Sequence, residues 1–495
     1  MAAAVRIRAT RARAEIRGLL WAAAAVTSCA LAGLARAEAP AAPPPPDGFH
    51  AMPSLYWKSG EHRVDLGLNV RAREEMWDAF NDHTTWYTGT RTRISLKYSY
   101  QEIFALYGQF QDVRLNGLDQ RSSGAELTYF NSSDQSEDVG DDSIRQLYLQ
   151  LSPVPGAVLR AGRQDIKLGQ EVLYPEPNWR YLKMSRIGER LIGTVGWSHA
   201  ERSNDGATAS IDFGEGGGYN AYAFAARPTT GVFDIPSAYH RQKDVVYGGG
   251  AFTVKRNTWL EKTELGLFGI VYDDDRPTDK GGLPDSVLVY TVGGHLLGVY
   301  PAGPGQVDGL LWGAGQLGRY NGLDQRAGAF LVEGGYQLSE VFAKPWLRLG
   351  VNAATGDGDP TDSNHHTFFN LLPTNHIYYG FADQIALQNI VNWFVQLRLA
   401  PHPMFQLNAF VHRFSLWNGD DARYSGTGAF SRKSFGFVAN PSRGYRTVGT
   451  EYDVVATIPV HRAVTLELGY SNLQGAKMLN DQNLNFAYAS FELTY

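Results

Sequence analysis

Four arginines stand at alternating positions in two stretches, Arg71 and Arg73 at the end of Val64–Arg73, and Arg91 and Arg93 at the start of Arg91–Tyr100. A guanidinium is planar, stays charged at any relevant pH and pairs bidentately with carboxylates. A row of them holds an anion at several weak points, which passage along a pore needs, because a tightly held solute stalls. The rival reading is static bracing, with each arginine paired to an Asp or Glu of the same wall.

The elements that position these groups are strands. In Val64-Asp65-Leu66-Gly67-Leu68-Asn69-Val70-Arg71-Ala72-Arg73, apolar residues alternate with polar or small ones. The pattern returns in Arg91–Tyr100, Thr208–Phe213, Val464–Ser471 and Asn485–Tyr495. Period two marks a strand with one apolar face. A soluble sandwich alternates too, but here the second face is charged beyond what a packed core tolerates. Tyr, Phe and Trp also gather near strand ends, as in the girdles of membrane barrels. Mean hydropathy is −0.28, and past the N-terminus no run approaches the roughly 20 apolar residues of a helical span. The expected fold is all-β, a transmembrane antiparallel barrel of 16–18 strands at about 9–11 residues each plus turns and loops. Its last strand ends on an aromatic, with Phe491, Leu493 and Tyr495 on one face.

The N-terminus reads as a signal peptide over 1–37. Arg6, Arg8, Arg11, Arg13 and Arg17 form its basic region, Gly18 to Leu34 its apolar region and Ala35-Arg36-Ala37 its cleavage site. A lipoprotein site at Cys29 is the rival, weakened by the apolar residues that follow. Cleavage removes Cys29, the only cysteine, with six arginines and one glutamate, taking the net charge from −5 to −10. A nucleic-acid binder should be basic, so nucleic acid is excluded as a partner. A Pro-rich linker covers 38–52 and the barrel 53–495. Long polar stretches become extracellular loops: 116–142, 228–244, 273–285, 356–384 and 417–446. Two of them concentrate acids, Asp134, Glu137, Asp138, Asp141 and Asp142 in one and Asp273, Asp274 and Asp275 in another.

Alternation sorts the inward faces. Asp65, Asn69, Arg71 and Arg73 oppose the first apolar face, and Arg91, Arg93, Ser95 and Lys97 the second. Arg398 and His412 point inward by the same count. Other chemistry finds little footing. Gly313–Gly318 fits a dinucleotide fingerprint without its strand-before, helix-after context. Gly196-Trp197-Ser198-His199-Ala200 has the outline of a nucleophile elbow, whose strained turn a barrel strand does not supply. His365 and His366 are adjacent, unlike the helical zinc spacing. Asp357, Asp359 and Asp362 are spaced like an oxygen-ligand loop that calcium would order, against the plainer reading of a solvated acidic turn. No organic cofactor is expected.

Several separated motifs resemble the alginate-export porin family: Arg91-Thr92-Arg93, Gln109-Phe110-Gln111-Asp112-Val113-Arg114, Gly162-Arg163-Gln164, Gly188–Gly193 with Trp197, and Arg202–Gly206. Gly356–Pro360, Phe368–His376, Gly380, Asp383, Asn389 and Gly449–Asp453 continue the likeness. An alternative register at Gly169-Gln170-Glu171 leaves 165–202 without carry-over, and Asn204 stands where the family usually has Phe. The resemblance implies an 18-strand barrel with a basic, loop-gated pore, and adds Arg114 and Arg163 to the solute path. It also implies a monomer in outer-membrane lipid, an anionic polysaccharide or small anion as cargo, and periplasmic export partners. A substrate-specific or general diffusion porin is the main alternative, and an outer-membrane barrel enzyme a remote one.

Overall fold

The computed structural model describes residues 55–80, 83–277, 286–359, 361–430 and 435–495. The expected signal peptide of 1–37, with Cys29, and the expected linker of 38–52 lie outside the described residues, as do 278–285 of the expected acidic loop. Eighteen strands close on themselves. They are β1 His62–Ala79, β2 His83–Tyr100, β3 Phe104–Asn116, β4 Asp138–Leu151, β5 Ala157–Gln164, β6 Asn204–Phe213, β7 Tyr219–Pro228, β8 Val245–Val254 and β9 Thr263–Asp274. Then come β10 Val287–Ala302, β11 Gly305–Tyr320, β12 Leu323–Gln337, β13 Trp346–Ala354, β14 Ile390–His402, β15 Phe405–Ser415, β16 Thr447–His461, β17 Val464–Gly475 and β18 Asn483–Thr494. Each pairs antiparallel with its neighbour, and β18 returns to β1 from Asn69↔Thr494 to Asp78↔Asn485. Closure leaves every strand paired on both sides, the condition for a sheet to cross hydrocarbon. The last residue completes the seam: Leu68 N donates to Tyr495 O at 2.9 Å and Tyr495 N to Leu68 O at 2.7 Å.

Alternation places the two faces as the sequence implies. Leu66, Leu68, Ile94 and Leu96 are exposed outward, while Arg71, Arg73, Glu75 and Trp77 are buried inward. Exposed Trp86, Trp393 and Tyr452 ring one rim, and Tyr100, Trp259 and Tyr300 the other. One end carries short turns, the other long loops; in outer-membrane barrels these are the periplasmic and extracellular ends. One tight turn sits among the long loops: Asn321 and Gly322, with φ of 51° and 86°, join β11 to β12. Asn-Gly accepts the two positive φ values that a hairpin turn matched to strand twist demands. Strand pairing also claims Asp138–Asp142 for β4 and Asp273–Asp274 for β9, shortening two expected loops.

The core lies inside the barrel. Residues 165–203, between β5 and β6, turn into the lumen instead of outward. They bury Ile166, Leu168, Trp179, Leu182, Ile187 and Leu191 against Phe368, Phe369, Leu371 and Leu372 from the loop of 355–389. The two loops exchange backbone hydrogen bonds: Gly193 N to Leu372 O and Leu372 N to Leu191 O at 2.8 Å, and Thr374 N to Glu189 O at 2.9 Å. A short helix, α1 (Gly124–Ser132), packs in the β3–β4 loop, and α2 (Pro177–Leu182) runs into a π-helical turn over Lys183–Ile187 within the plug. Gly196–Ala200 therefore belongs to an inserted loop, not to a strand as the sequence reading assumed.

Candidate functional site

Register brings Arg71 and Arg73 of β1 and Arg91 and Arg93 of β2 to one inner wall, where Arg71 faces Arg91 across the ladder. A fifth arginine joins them through a bulge. The β3–β4 pairing steps from Gln109↔Gln146 to Phe110↔Ile144, leaving Arg145 unpaired and inward. A bulge of this kind re-aims a side chain, and alternation alone does not single out Arg145.

The plug answers this wall with acceptors. Glu201 takes Arg91 at 2.9 Å, Arg93 at 2.7 Å and Arg145 at 2.6 Å. Arg145 also meets Asp165 at 2.8 Å. Arg71 donates to the carbonyls of Gly196 and Ser198 at 3.2 and 2.8 Å. Arg73 donates to Trp197 O at 2.8 Å and stacks 3.6 Å from its ring centroid, while Glu75 holds its other edge at 2.6 Å. Burial favours the neutral acid, yet the charges of Arg145, Arg93 and Arg91 hold the Glu201 carboxyl well below the usual carboxylate range. His199, pressed between Arg73 and Glu75, is pushed down to about 3 by burial and by the Arg73 charge, so it is neutral at physiological pH. Gly89 of β2 makes room for it: a Cβ there would lie 2.0 Å from the His199 ring. The plug tip also lies across the seam, with Trp197 edge-on to Tyr488 of β18 at 4.7 Å.

The opposite wall is acidic, and the other end of the plug is basic. Lys183 meets Glu264 of β9 at 2.6 Å, both fully buried, and His295 and Tyr174 also bond Glu264 at 2.8 and 2.6 Å. Arg186 and Arg190 meet Glu333 of β12 at 2.6 and 3.2 Å. Arg348 of β13 bridges Glu333 and Asp308 at 3.1 and 2.9 Å. The lumen is thus polarised from side to side, and the plug docks with its own charges reversed. Neither the acidic wall nor Glu201 emerged from the sequence reading. The pattern of inward acids on β9, β11 and β12 was the signal available.

Two cavities flank the plug. The periplasmic one, about 580 Å³, is lined by Arg256, Lys262, Lys344 and Arg398 against one acid, Glu176. Arg398 points inward and stacks on Tyr181, 3.7 Å from its centroid. On the extracellular side a vestibule of about 870 Å³ opens among the loops. Lys97, cross-strand from Asp65, lines a separate cavity near the periplasmic rim.

Two expected path residues face the other way. Arg114 shares the outward face with Leu106 and Phe110, pairs with Asp112 at 2.5 Å and is half exposed. Arg163 lies cross-strand from outward Leu147 and binds Asp205 at 2.7 Å. Near the extracellular rim the polarity inverts. The inner wall packs apolar Val113 and Leu115 against the loops, and the outer face leaves the hydrocarbon for polar surroundings. Asp357, Asp359 and Asp362 each accept a backbone N–H two residues on, and among the described residues no three His, Cys, Asp or Glu side chains gather to hold a metal.

A closed eighteen-strand barrel, apolar outside and filled by its own loops, defines an outer-membrane channel protein. The family description "Alginate export" matches residues 62–483, and the chain belongs to that family. Among solved structures it is similar to Pseudomonas aeruginosa OccK5 (OpdH), at 10% identity over 87% of this chain and 98% of that one, with a TM-score of 0.54. It is also similar to Pseudomonas aeruginosa OpdK with vanillate, at 12% identity over 87% and 99%, with a TM-score of 0.52. At such identities the likeness is one of fold. No curated protein matches the chain.

Proposed function

We propose that this outer-membrane channel passes an anionic solute or polysaccharide along the arginine wall of β1, β2 and β4, with residues 165–203 as the gate. The observation that carries the reading is the convergence of Arg91, Arg93 and Arg145 on one carboxylate. That carboxylate comes from an inserted loop rather than from the wall, so Glu201 occupies the place a cargo carboxylate would take. Displacing the tip exchanges one carboxylate for another at Arg91, Arg93 and Arg145, which keeps the exchange shallow in energy. The basic periplasmic cavity supports entry of an anion from that side.

The test is the reversal potential in a planar bilayer under a salt gradient, wild type beside Arg71→Ala/Arg93→Ala. Anion selectivity that falls in the double variant supports the reading; cation selectivity, or no change, removes it. A second reading, a substrate-specific diffusion porin for small solutes, is favoured by the apolar burial of the plug, which suits a fixed constriction. Polyuronate added to the periplasmic side separates them: a gate admits or is blocked by the polymer, whereas a fixed constriction responds only to small anions.

A further inference from the structure

The extracellular vestibule holds two arginines that do not belong to the arginine wall. Arg202, the penultimate residue of the plug, and Arg423, in the loop of 416–446, both line it and are 2% and 9% exposed. Arg202 Nη1 donates to the carbonyls of Gly193 and Leu372, each at 3.1 Å, and its Nε is buried without an acceptor. Arg423 Nη1 donates to Gln384 O at 2.6 Å and to its side-chain oxygen at 3.3 Å. Among the described residues no carboxylate pairs with either, whereas Arg73, Arg91, Arg93 and Arg145 below them all meet acids. Burial lowers both guanidinium groups to about 10, and both stay charged at neutral pH. The vestibule's own acids are committed or peripheral: Asp383 pairs with His376 at 3.0 Å, Asp234 accepts from Ser237 N at 3.1 Å, and Asp134 is exposed.

Two buried cations facing one cavity without a carboxylate partner are costly unless an anion completes them. A volume of about 870 Å³ lies in the range of small-molecule sites, about 300–1,000 Å³. Neutral donors and acceptors stand around the same space, Asn375, Ser425 and Thr427 among them.

We propose that the vestibule is a binding site for a small dianion, a dicarboxylate in its simplest form, with one anionic group on Arg202 and the other on Arg423. Arg202 already clasps 165–203 to 355–389, and Arg423 clasps 416–446 to 355–389. A ligand held by both ties three loops together over the plug. The site is separate from the arginine wall, so it stands whether or not that wall conducts anions.

Isothermal titration of the full chain in detergent micelles reads the site directly. Glutarate should bind at least tenfold more tightly than butyrate. Arg202→Gln and Arg423→Gln should each bring glutarate down to the level of butyrate. Bound glutarate should also slow amide exchange over 194–202 and 420–428. Arg202 bonds two loop carbonyls, so its variant is checked for folding by heat-modified gel mobility; if it fails, Arg423→Gln carries the test. Glutarate binding no tighter than butyrate, or unchanged in Arg423→Gln, overturns the proposal. Because no current is measured, a channel that is cation-selective yet binds glutarate refutes the conduction reading alone.

Discussion

Glu201→Gln removes the one charge on which three arginines converge while keeping the side chain's shape. Taking one partner out of a buried ion pair costs about 3–5 kcal/mol, because the remaining charge is left uncompensated. The lower end applies here, since Arg145 keeps Asp165 at 2.8 Å and Arg91 keeps Glu492 at 3.5 Å. At tenfold per about 1.4 kcal/mol, a loss of about 3 kcal/mol shifts the docked-to-undocked ratio of the tip on the order of 100-fold. The far end of the plug keeps Lys183 on Glu264 and Arg186 on Glu333, so the release is local to the tip. Hydrogen–deuterium exchange over 194–203 should accelerate by that order, and single-channel records should show more frequent openings with stronger anion preference. Glu201→Asp, which keeps the charge but shortens its reach, should fall between. Exchange within about threefold of wild type, with unchanged openings, would refute the idea that this carboxylate latches the tip.

Gly89→Ala should act on the same tip from the wall side. Its new Cβ meets the His199 ring at 2.0 Å, and overpacking of this kind costs about 1–3 kcal/mol, so open time should rise with the barrel's melting temperature nearly unchanged. Arg114→Ala and Arg163→Ala should leave the reversal potential at the wild-type value, because both side chains face outward; a shift in either would place them in the conduction path. Glu126 in α1 is pushed up to about 7 by burial, partly offset by Ser122, Thr85 and Asp119 N. A carboxyl whose folded value is raised favours the folded form most at low pH, and that advantage is lost as pH climbs from about 4.5 to about 7. Amide exchange in α1, corrected for intrinsic rate, should be slower at pH 5 than at pH 8, and Glu126→Gln should flatten the difference.

The barrel was legible because its strands obey one rule for most of their length. Leu66, Leu68, Ile94 and Leu96 outward, with Arg71, Arg73, Arg91 and Arg93 inward, follow from counting by twos. The count fails where the surroundings change. At the extracellular rim the lumen side is apolar and the outer side polar, so Arg114 and Arg163, which the family resemblance and not the count places on the path, face outward. At the bulge between Gln109 and Phe110 one extra residue turns Arg145 inward. The plug escaped notice for a related reason. A loop that enters a lumen buries residues such as Ile166, Leu168 and Leu191 and so lacks the polar composition by which exposed loops are recognised. Glu201 could not be paired with its arginines because that contact spans 110 residues and depends on the insertion itself.

The position of Trp197 couples the inserted loop to the wall. β1 and β18 form the seam at which the barrel closes. Trp197 stacks on Arg73 from one of these strands and meets Tyr488 from the other edge-on, so the plug tip sits as a keystone behind the junction. Both of its contacts are complete only when the two ends of the sheet have met. If the tip is drawn aside, as the proposed gating requires, the keystone comes out and the seam relies on its backbone ladder.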